Sequence, residues 1–129
     1  MKFAIAFFDC KVTDSQINIC SCFMSSHVTA ILESHDLRLP DIANITLLLP
    51  SLAPEIFATA NKAYAEFFGT SPPSRACVGV DLPEGVHVVL ECIAHKENSD
   101  TKRKALHVQG LSYWAPANIG PYSQAVTVR

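Results

Sequence analysis

The chain has 129 residues, of which 49% are hydrophobic and 17% are charged, and its formal net charge is −2. This length is typical of one domain, and the apolar content supports a packed core and argues against disorder. The sequence shows no basic stripe, so a nucleic-acid partner is not expected. No apolar run approaches the ~18–20 residues of a membrane helix, so no membrane partner is expected either.

The five cysteines form an odd set without regular spacing, which does not predict a disulfide framework. A reducing compartment, and with it a cytoplasmic location, is therefore expected. The histidines and cysteines show no metal-site spacing, and no glycine-rich phosphate loop is present. We therefore expect neither a metal nor a cofactor.

The first half of the chain predicts two strands, a helix and a third strand. Residues 2–8 form an apolar run that predicts a buried strand, and residues 16–23 alternate as the second strand of a hairpin. From Met24 the apolar spacing becomes helical. Ile42–Leu49 predicts a strand buried on both faces. The helical face comprises Met24, Val28, Ile31, Leu32 and His35.

The second half predicts another helix followed by three strands. Ser51 is expected to cap the helix, with Pro54 in its first turn and Gly69 at its end. Residues 76–82 and 86–94 predict two strands joined by a turn. Residues 105–114 predict a last full strand, after which a turn-rich segment leads into an alternating tail.

This order of elements predicts an α+β sandwich, with one mixed sheet and two helices packed on one face. The other face of the sheet would then need cover, which predicts self-association.

Four side chains are candidates for chemistry. Arg75 follows two prolines and opens an apolar strand, so it either forms a structural salt bridge or binds a small carboxylate. Glu91 lies in an apolar strand, where it is a candidate proton donor or water-orienting group, or else faces solvent or neutralises Arg75. Asn61 is a poor helix former in mid-helix and either points at a ligand or is exposed. Tyr122 follows a Gly-Pro turn and either walls a pocket or fills the core.

Three segments resemble the RidA family, also called YjgF or L-PSP proteins. Residues 61–94, "NKAYAEFFGTSPPSRACVGVDLPEGVHVVLECIA", resemble the C-terminal half of its members. Residues 30–49, "AILESHDLRLPDIANITLLL", resemble the family helix and central strand. Residues 115–126, "APANIGPYSQAV", are similar to the opening motif of the family. Together these segments cover about half of the chain.

The opening motif comes last in this chain, whereas single-domain members begin with it. Its leader, residues 106–124, resembles the junction between the tandem RidA-like domains of eukaryotic diphthine–ammonia ligases, which act in diphthamide biosynthesis. We therefore interpret residues 1–114 as one RidA-like domain. Residues 115–129 are either the opening strand motif of a second RidA-like domain or a permuted first strand of this one.

The resemblance implies a chorismate-mutase-like (YjgF/L-PSP) fold and a homotrimer with ligand clefts between subunits. It also implies a cofactor-free imine deaminase, a hydrolase that converts small 2-imino acids into 2-oxo acids and ammonia. Arg75 matches the arginine that binds the substrate carboxylate, and Glu91 matches the carboxylate that orients water. The other substrate-binding matches are Asn61, Cys77, Tyr122 and Ser21, the last without its usual Ser-Gly-Gln setting.

Two alternatives to the enzyme remain open. One is a non-catalytic, oligomerising module that binds a small carboxylate and derives from a diphthine–ammonia ligase. The other is the endoribonuclease activity claimed for some relatives, which the lack of a basic surface disfavours.

Overall fold

The computed structural model describes residues 3–11, 27–96 and 103–128. The predicted strand over residues 16–23, and Ser21 within it, lie outside these ranges. Within the described ranges, no helix has the length and hydropathy needed to span a bilayer.

The main sheet has four strands: β1 (Phe3–Lys11), β2 (Ile42–Leu49), β3 (Ser74–Gly79) and β4 (Val86–His95). They are ordered β1-β4-β2-β3, with β4 antiparallel to both of its neighbours and β2 parallel to β3. The parallel pair needs a crossover, which a helix between the two strands supplies. The predicted mixed sheet is thus confirmed.

The crossover helix, α2, spans Pro54–Phe68. Proline suits the first helical position because the missing N–H has no intrahelical partner there. The N-cap is Ala53 rather than the predicted Ser51, whose hydroxyl oxygen instead accepts a hydrogen bond from the Ala53 N–H at 3.1 Å. The predicted end of the helix is confirmed, because Gly69 adopts a positive φ of 59° that glycine tolerates.

Both helices cover one face of the sheet, as predicted. The first, α1, is helical over residues 27–34 of the described chain. His35, which was expected on its apolar face, is exposed beyond its end. The prediction that β2 is buried on both faces is wrong, because buried and half-buried residues alternate along it. The core includes Val28, Leu32, Ile45, Leu47, Leu49, Tyr64, Leu90 and Cys92.

The C-terminal part of the chain forms a second, two-stranded sheet. Strands β5 (Lys104–Leu106) and β6 (Ala125–Thr127) pair in antiparallel fashion. The predicted full strand over residues 105–114 is therefore wrong beyond Leu106. The reason is visible at Val108, whose backbone N–H and carbonyl bond to the side chain of Gln124 rather than to a strand.

The C-terminal segment reaches the main sheet through one parallel bridge, between Ser123 and Ser74 at the start of β3. Whether residues 115–129 represent the start of a second domain or a permuted strand stays a prediction.

Candidate functional site

Arg75 is the second residue of β3, and its side chain lies beneath α2. In the parallel register it pairs with Ile45 of β2, which is fully buried, so both side chains point to the helix-covered face. Pro72 and Pro73, which precede the strand, are also fully buried and fix the approach of the backbone. The start of β3 thereby places the charged Arg75 side chain at the edge of the core.

One donor atom of the guanidinium has a partner, and the other two do not. The Nη2 of Arg75 donates to Oδ1 of Asn61 in α2 at 2.6 Å. The Nε and Nη1 atoms are buried and have no hydrogen-bond partner among the described residues. A buried, unpartnered donor on a charged group is costly. Each of these two donors forms a fork with Nη2, which has a second N–H, so a carboxylate can bind through two parallel hydrogen bonds that include one of the free donors.

Three aromatic rings surround the same guanidinium. Its Cζ atom lies 4.6 Å from the ring centroid of Tyr64, 4.8 Å from that of Tyr122 and 5.8 Å from that of Phe57. These distances are within the range of cation–π attraction. Burial lowers the pKa of Arg75 from its ordinary value, but a guanidinium remains protonated in proteins. The site therefore keeps a positive charge in an aromatic setting.

Gly120 closes the site from the C-terminal segment. A β-carbon at this position would lie 2.9 Å from Nη2 of Arg75 and 3.0 Å from Oδ1 of Asn61. Only glycine allows the backbone to approach the Arg75–Asn61 pair so closely. Gly120 also begins a tight turn, in which the Tyr122 N–H donates to the Gly120 carbonyl at 2.9 Å.

Cys77 lies two residues after Arg75 on the same face of β3 and is half-buried. Burial raises the pKa of its thiol, and the nearby Arg75 opposes that shift only in part. The protonated thiol is a weak nucleophile, so Cys77 lines the site rather than attacking a substrate.

Glu91 does not meet Arg75 within one chain. In the antiparallel register it pairs with Thr46, while its neighbours Leu90 and Cys92 point into the helix-covered core. Side chains alternate along a strand, so Glu91 lies on the opposite face of the sheet from Arg75. It is half-buried there. The expected convergence of these two groups where protomers meet stays a prediction.

A serine–histidine pair lies beside the site but lacks a free nucleophile. The Oγ of Ser123 is 3.5 Å from Nδ1 of His107. Ser123 is only 1% exposed, and its hydroxyl donates to the Pro72 carbonyl at 2.7 Å. A hydroxyl committed in this way has neither access to substrate nor a proton to give to a base.

Four of the predicted site residues thus come together, while Glu91 lies on the other face and Ser21 lies outside the described residues. The sequence interpretation missed three contributors. Tyr64 and Phe57 lie within the predicted second helix but were not identified as site residues, and Gly120 was placed only in a turn. The spacing of Asn61 and Tyr64, three residues apart on one helix, was the available signal. The residues brought together are Arg75, Asn61, Cys77 and Tyr122.

Comparison with known proteins relates this chain to one family. A family model described as "Endoribonuclease L-PSP" matches residues 22–96, more than half of the chain. The chain belongs to the RidA (L-PSP) family. Within the described residues of this RidA-family chain, no three histidine, cysteine, aspartate or glutamate side chains cluster as a metal site would require.

The diphthine–ammonia ligases of two yeasts are similar to this RidA-family chain. The Schizosaccharomyces pombe enzyme is 47% identical over 83 residues, which is 64% of this chain and 13% of the ligase. The Saccharomyces cerevisiae enzyme is 43% identical over 106 residues, which is 74% of this chain and 15% of the ligase. The chain therefore spans only a small part of these curated relatives.

Solved structures share the fold of this family. E. coli TdcF with bound serine superimposes with a TM-score of 0.58 at 29% identity, covering 67% of this chain and 68% of TdcF. The predicted chorismate-mutase-like (YjgF/L-PSP) architecture is thus confirmed.

Proposed function

We propose that this chain binds the carboxylate of a small 2-oxo or 2-imino acid at Arg75 and hydrolyses the 2-imino acid to the 2-oxo acid and ammonia. The observation that carries this proposal is that two donors of the guanidinium, Nε–H and Nη1–H, are buried among aromatic rings without a partner in the described residues. A bidentate carboxylate would satisfy one of these donors together with the second N–H of Nη2, and it would neutralise the buried charge. TdcF, which is similar in fold, has been solved with bound serine, a small carboxylate.

The reaction needs little chemistry from the protein. Water adds to the carbon of the C=N bond, and the resulting carbinolamine releases ammonia to leave the 2-oxo acid. Arg75 would hold the carboxylate next to the reacting carbon, with Asn61 fixing the guanidinium through its Nη2 hydrogen bond. A carboxylate would take a proton from the water and return it to the departing nitrogen.

Glu91 is our candidate for that carboxylate, supplied by a neighbouring copy of the chain. It lies on the outer face of the sheet, away from Arg75 of its own chain. The same face carries Val78 and Ile93, each 42% exposed. Apolar residues around a half-buried carboxylate favour contact with another copy rather than with bulk water. A homotrimer with a cleft between subunits would join the two groups.

The first test measures imine hydrolysis directly. An amino-acid dehydratase generates 2-iminopropanoate, and semicarbazide traps the imine that this protein has not consumed. We expect the wild-type chain to reduce trapping, Arg75→Ala to lose the effect, and Arg75→Lys to retain little of it because lysine lacks the bidentate edge. Arg38→Ala is the matched control, since its side chain is 81% exposed. A wild-type chain that leaves trapping unchanged would refute the enzymatic proposal.

The second test asks whether one site uses two chains. Arg75→Ala and Glu91→Gln proteins are unfolded together and refolded as a mixture. If each site takes Arg75 from one copy and Glu91 from another, random mixing restores about one quarter of the wild-type rate. If both residues must come from the same chain, the mixture stays inactive, and the shared-site proposal is wrong.

The alternative is a non-catalytic binding module. It is favoured by the similarity to diphthine–ammonia ligases, of which this chain matches only 13–15%. The module would bind a 2-oxo acid with the same dependence on Arg75 but without turnover. Equilibrium binding of 2-oxobutanoate together with unchanged semicarbazide trapping identifies this case.

A further inference from the structure

A hydrogen-bonded clasp ties the C-terminal segment to the strand that carries Arg75. The Ser123 hydroxyl donates to the Pro72 carbonyl at 2.7 Å, and the Ser123 N–H donates to the Pro73 carbonyl at 3.0 Å. Both prolines are fully buried, so their carbonyls need donors from nearby chain. One buried serine supplies both of them, directly before β3 begins at Ser74.

The second half of the clasp is His107, immediately after β5. Its Nδ1 lies 3.2 Å from the Tyr122 carbonyl oxygen and 3.5 Å from Ser123 Oγ. A carbonyl oxygen only accepts and the serine proton goes to Pro72, so Nδ1 carries the proton in this network. The side-chain amide of Asn118 donates to the same carbonyl oxygen. The backbone of Tyr122 is thus held from two sides.

We propose that His107 and Ser123 are positioning residues of the Arg75 site, an inference that rests on the proposed ligand-binding function. The hydrogen bonds of their side chains involve groups other than the guanidinium. They fix the Tyr122 carbonyl and the residue that follows it, and the ring centroid of Tyr122 lies 4.8 Å from Arg75 Cζ. Without them that backbone would keep the Asn118 hydrogen bond, the Ser123 N–H bond to Pro73 and a ribbon of two three-residue strands, which by itself is only marginally stable.

The first experiment measures 2-oxobutanoate binding by NMR titration. We expect His107→Ala and Ser123→Ala each to weaken binding roughly five- to tenfold, since each removes a hydrogen bond that holds the tyrosine. His107→Asn should bind nearly as tightly as wild type, because its amide N–H occupies the place of Nδ1–H. His87→Ala, at an exposed position in β4, is the matched control.

A double-mutant cycle separates positioning from a general loss of stability. In a Tyr122→Leu background the ring is already gone, so adding His107→Ala should lower the melting temperature without weakening binding further. If His107→Ala weakens binding equally in both backgrounds, its effect does not pass through Tyr122 and the proposal is overturned.

A ligand-independent readout distinguishes failure of this inference from failure of the proposed function. Rings close to the guanidinium shift the NMR resonance of the Arg75 Nε–H, and we expect His107→Ala to move it toward the value of an exposed arginine. A wild-type chain that does not bind 2-oxobutanoate would refute the function alone. An unchanged Nε–H resonance in both His107→Ala and Ser123→Ala would refute the positioning role.

Discussion

Gly120→Ala tests the close approach of the C-terminal segment to the Arg75–Asn61 pair. The new β-carbon would lie 2.9 Å from Arg75 Nη2, 3.0 Å from Asn61 Oδ1 and 3.2 Å from Tyr122 Cε1. Ordinary contacts begin at 3.4 Å, so the segment must retreat by about 0.5 Å. Overpacking of this kind typically costs about 1–3 kcal/mol.

That cost should appear in binding rather than in global stability. The segment can relieve the clash by lifting from the guanidinium, which leaves the four-stranded sheet intact. Lifting also removes the Tyr122 ring from Arg75. We therefore expect a Kd for 2-oxobutanoate at least about tenfold higher than wild type, which corresponds to ~1.4 kcal/mol. The melting temperature should fall by only a few degrees.

The assay is an NMR titration of wild type, Gly120→Ala and the control Gly110→Ala. A β-carbon at Gly110 would have no atom of the described residues within 4 Å, and the backbone there has no positive φ, so alanine fits without strain. Equal affinities for all three proteins would show that the close approach at Gly120 does not shape the site. A loss of affinity in Gly110→Ala would show that the effect is not specific to Gly120.

Three further predictions concern stability and reactivity. Tyr64→Phe should raise the free energy of unfolding by about 1 kcal/mol, because the buried Tyr64 hydroxyl has no hydrogen-bond partner among the described residues. For 129 residues this is a rise of roughly 4 °C in a calorimetric scan, and a fall would contradict it. Gly69→Ala should lower the free energy of unfolding in urea by about 1–2 kcal/mol, because φ is 59° at this helix end; an unchanged urea midpoint would count against this account. Burial raises the pKa of Cys92 from 9.0 to about 12, so iodoacetamide at pH 8 should not alkylate it until the chain unfolds, as mass spectrometry would show. Because the folded state favours the neutral thiol, this group's contribution to stability is lost as the pH rises from 9.0 toward 12. Rapid native-state alkylation would refute the burial argument.

Much of the fold was predictable because the spacing of apolar residues, and the proline and glycine residues at helix ends, determine the backbone conformation locally. The apolar run of β2, the proline at the start of α2 and the glycine at its end each determine a nearby backbone conformation. The error at residues 105–114 has a non-local cause. Alternating residues predicted a strand there, but the Gln124 side chain takes the hydrogen bonds of Val108 from sixteen residues away.

Part of the candidate site was also predictable from local sequence, and part depends on tertiary contacts. Arg75 was identifiable because an arginine that opens an apolar strand needs a partner. Its actual neighbours depend on register and on tertiary contact between α2 and the C-terminal segment, which no local pattern contains. The face occupied by Glu91 illustrates this point, since a one-residue difference in register would move it to the other side of the sheet.

The two sheets are anchored unequally, and this affects how a ligand reaches the Arg75 site. The site's lining comes from α2, β3 and the segment around Tyr122. That last part is held by a ribbon of two three-residue strands, one bridge to β3 and a few side-chain hydrogen bonds. Such a unit opens sub-globally at a lower free energy than a four-stranded sheet. These openings would admit an anion to donors that are sealed in the closed state. Heating should correspondingly abolish ligand uptake several degrees before the circular-dichroism signal of the sheet collapses.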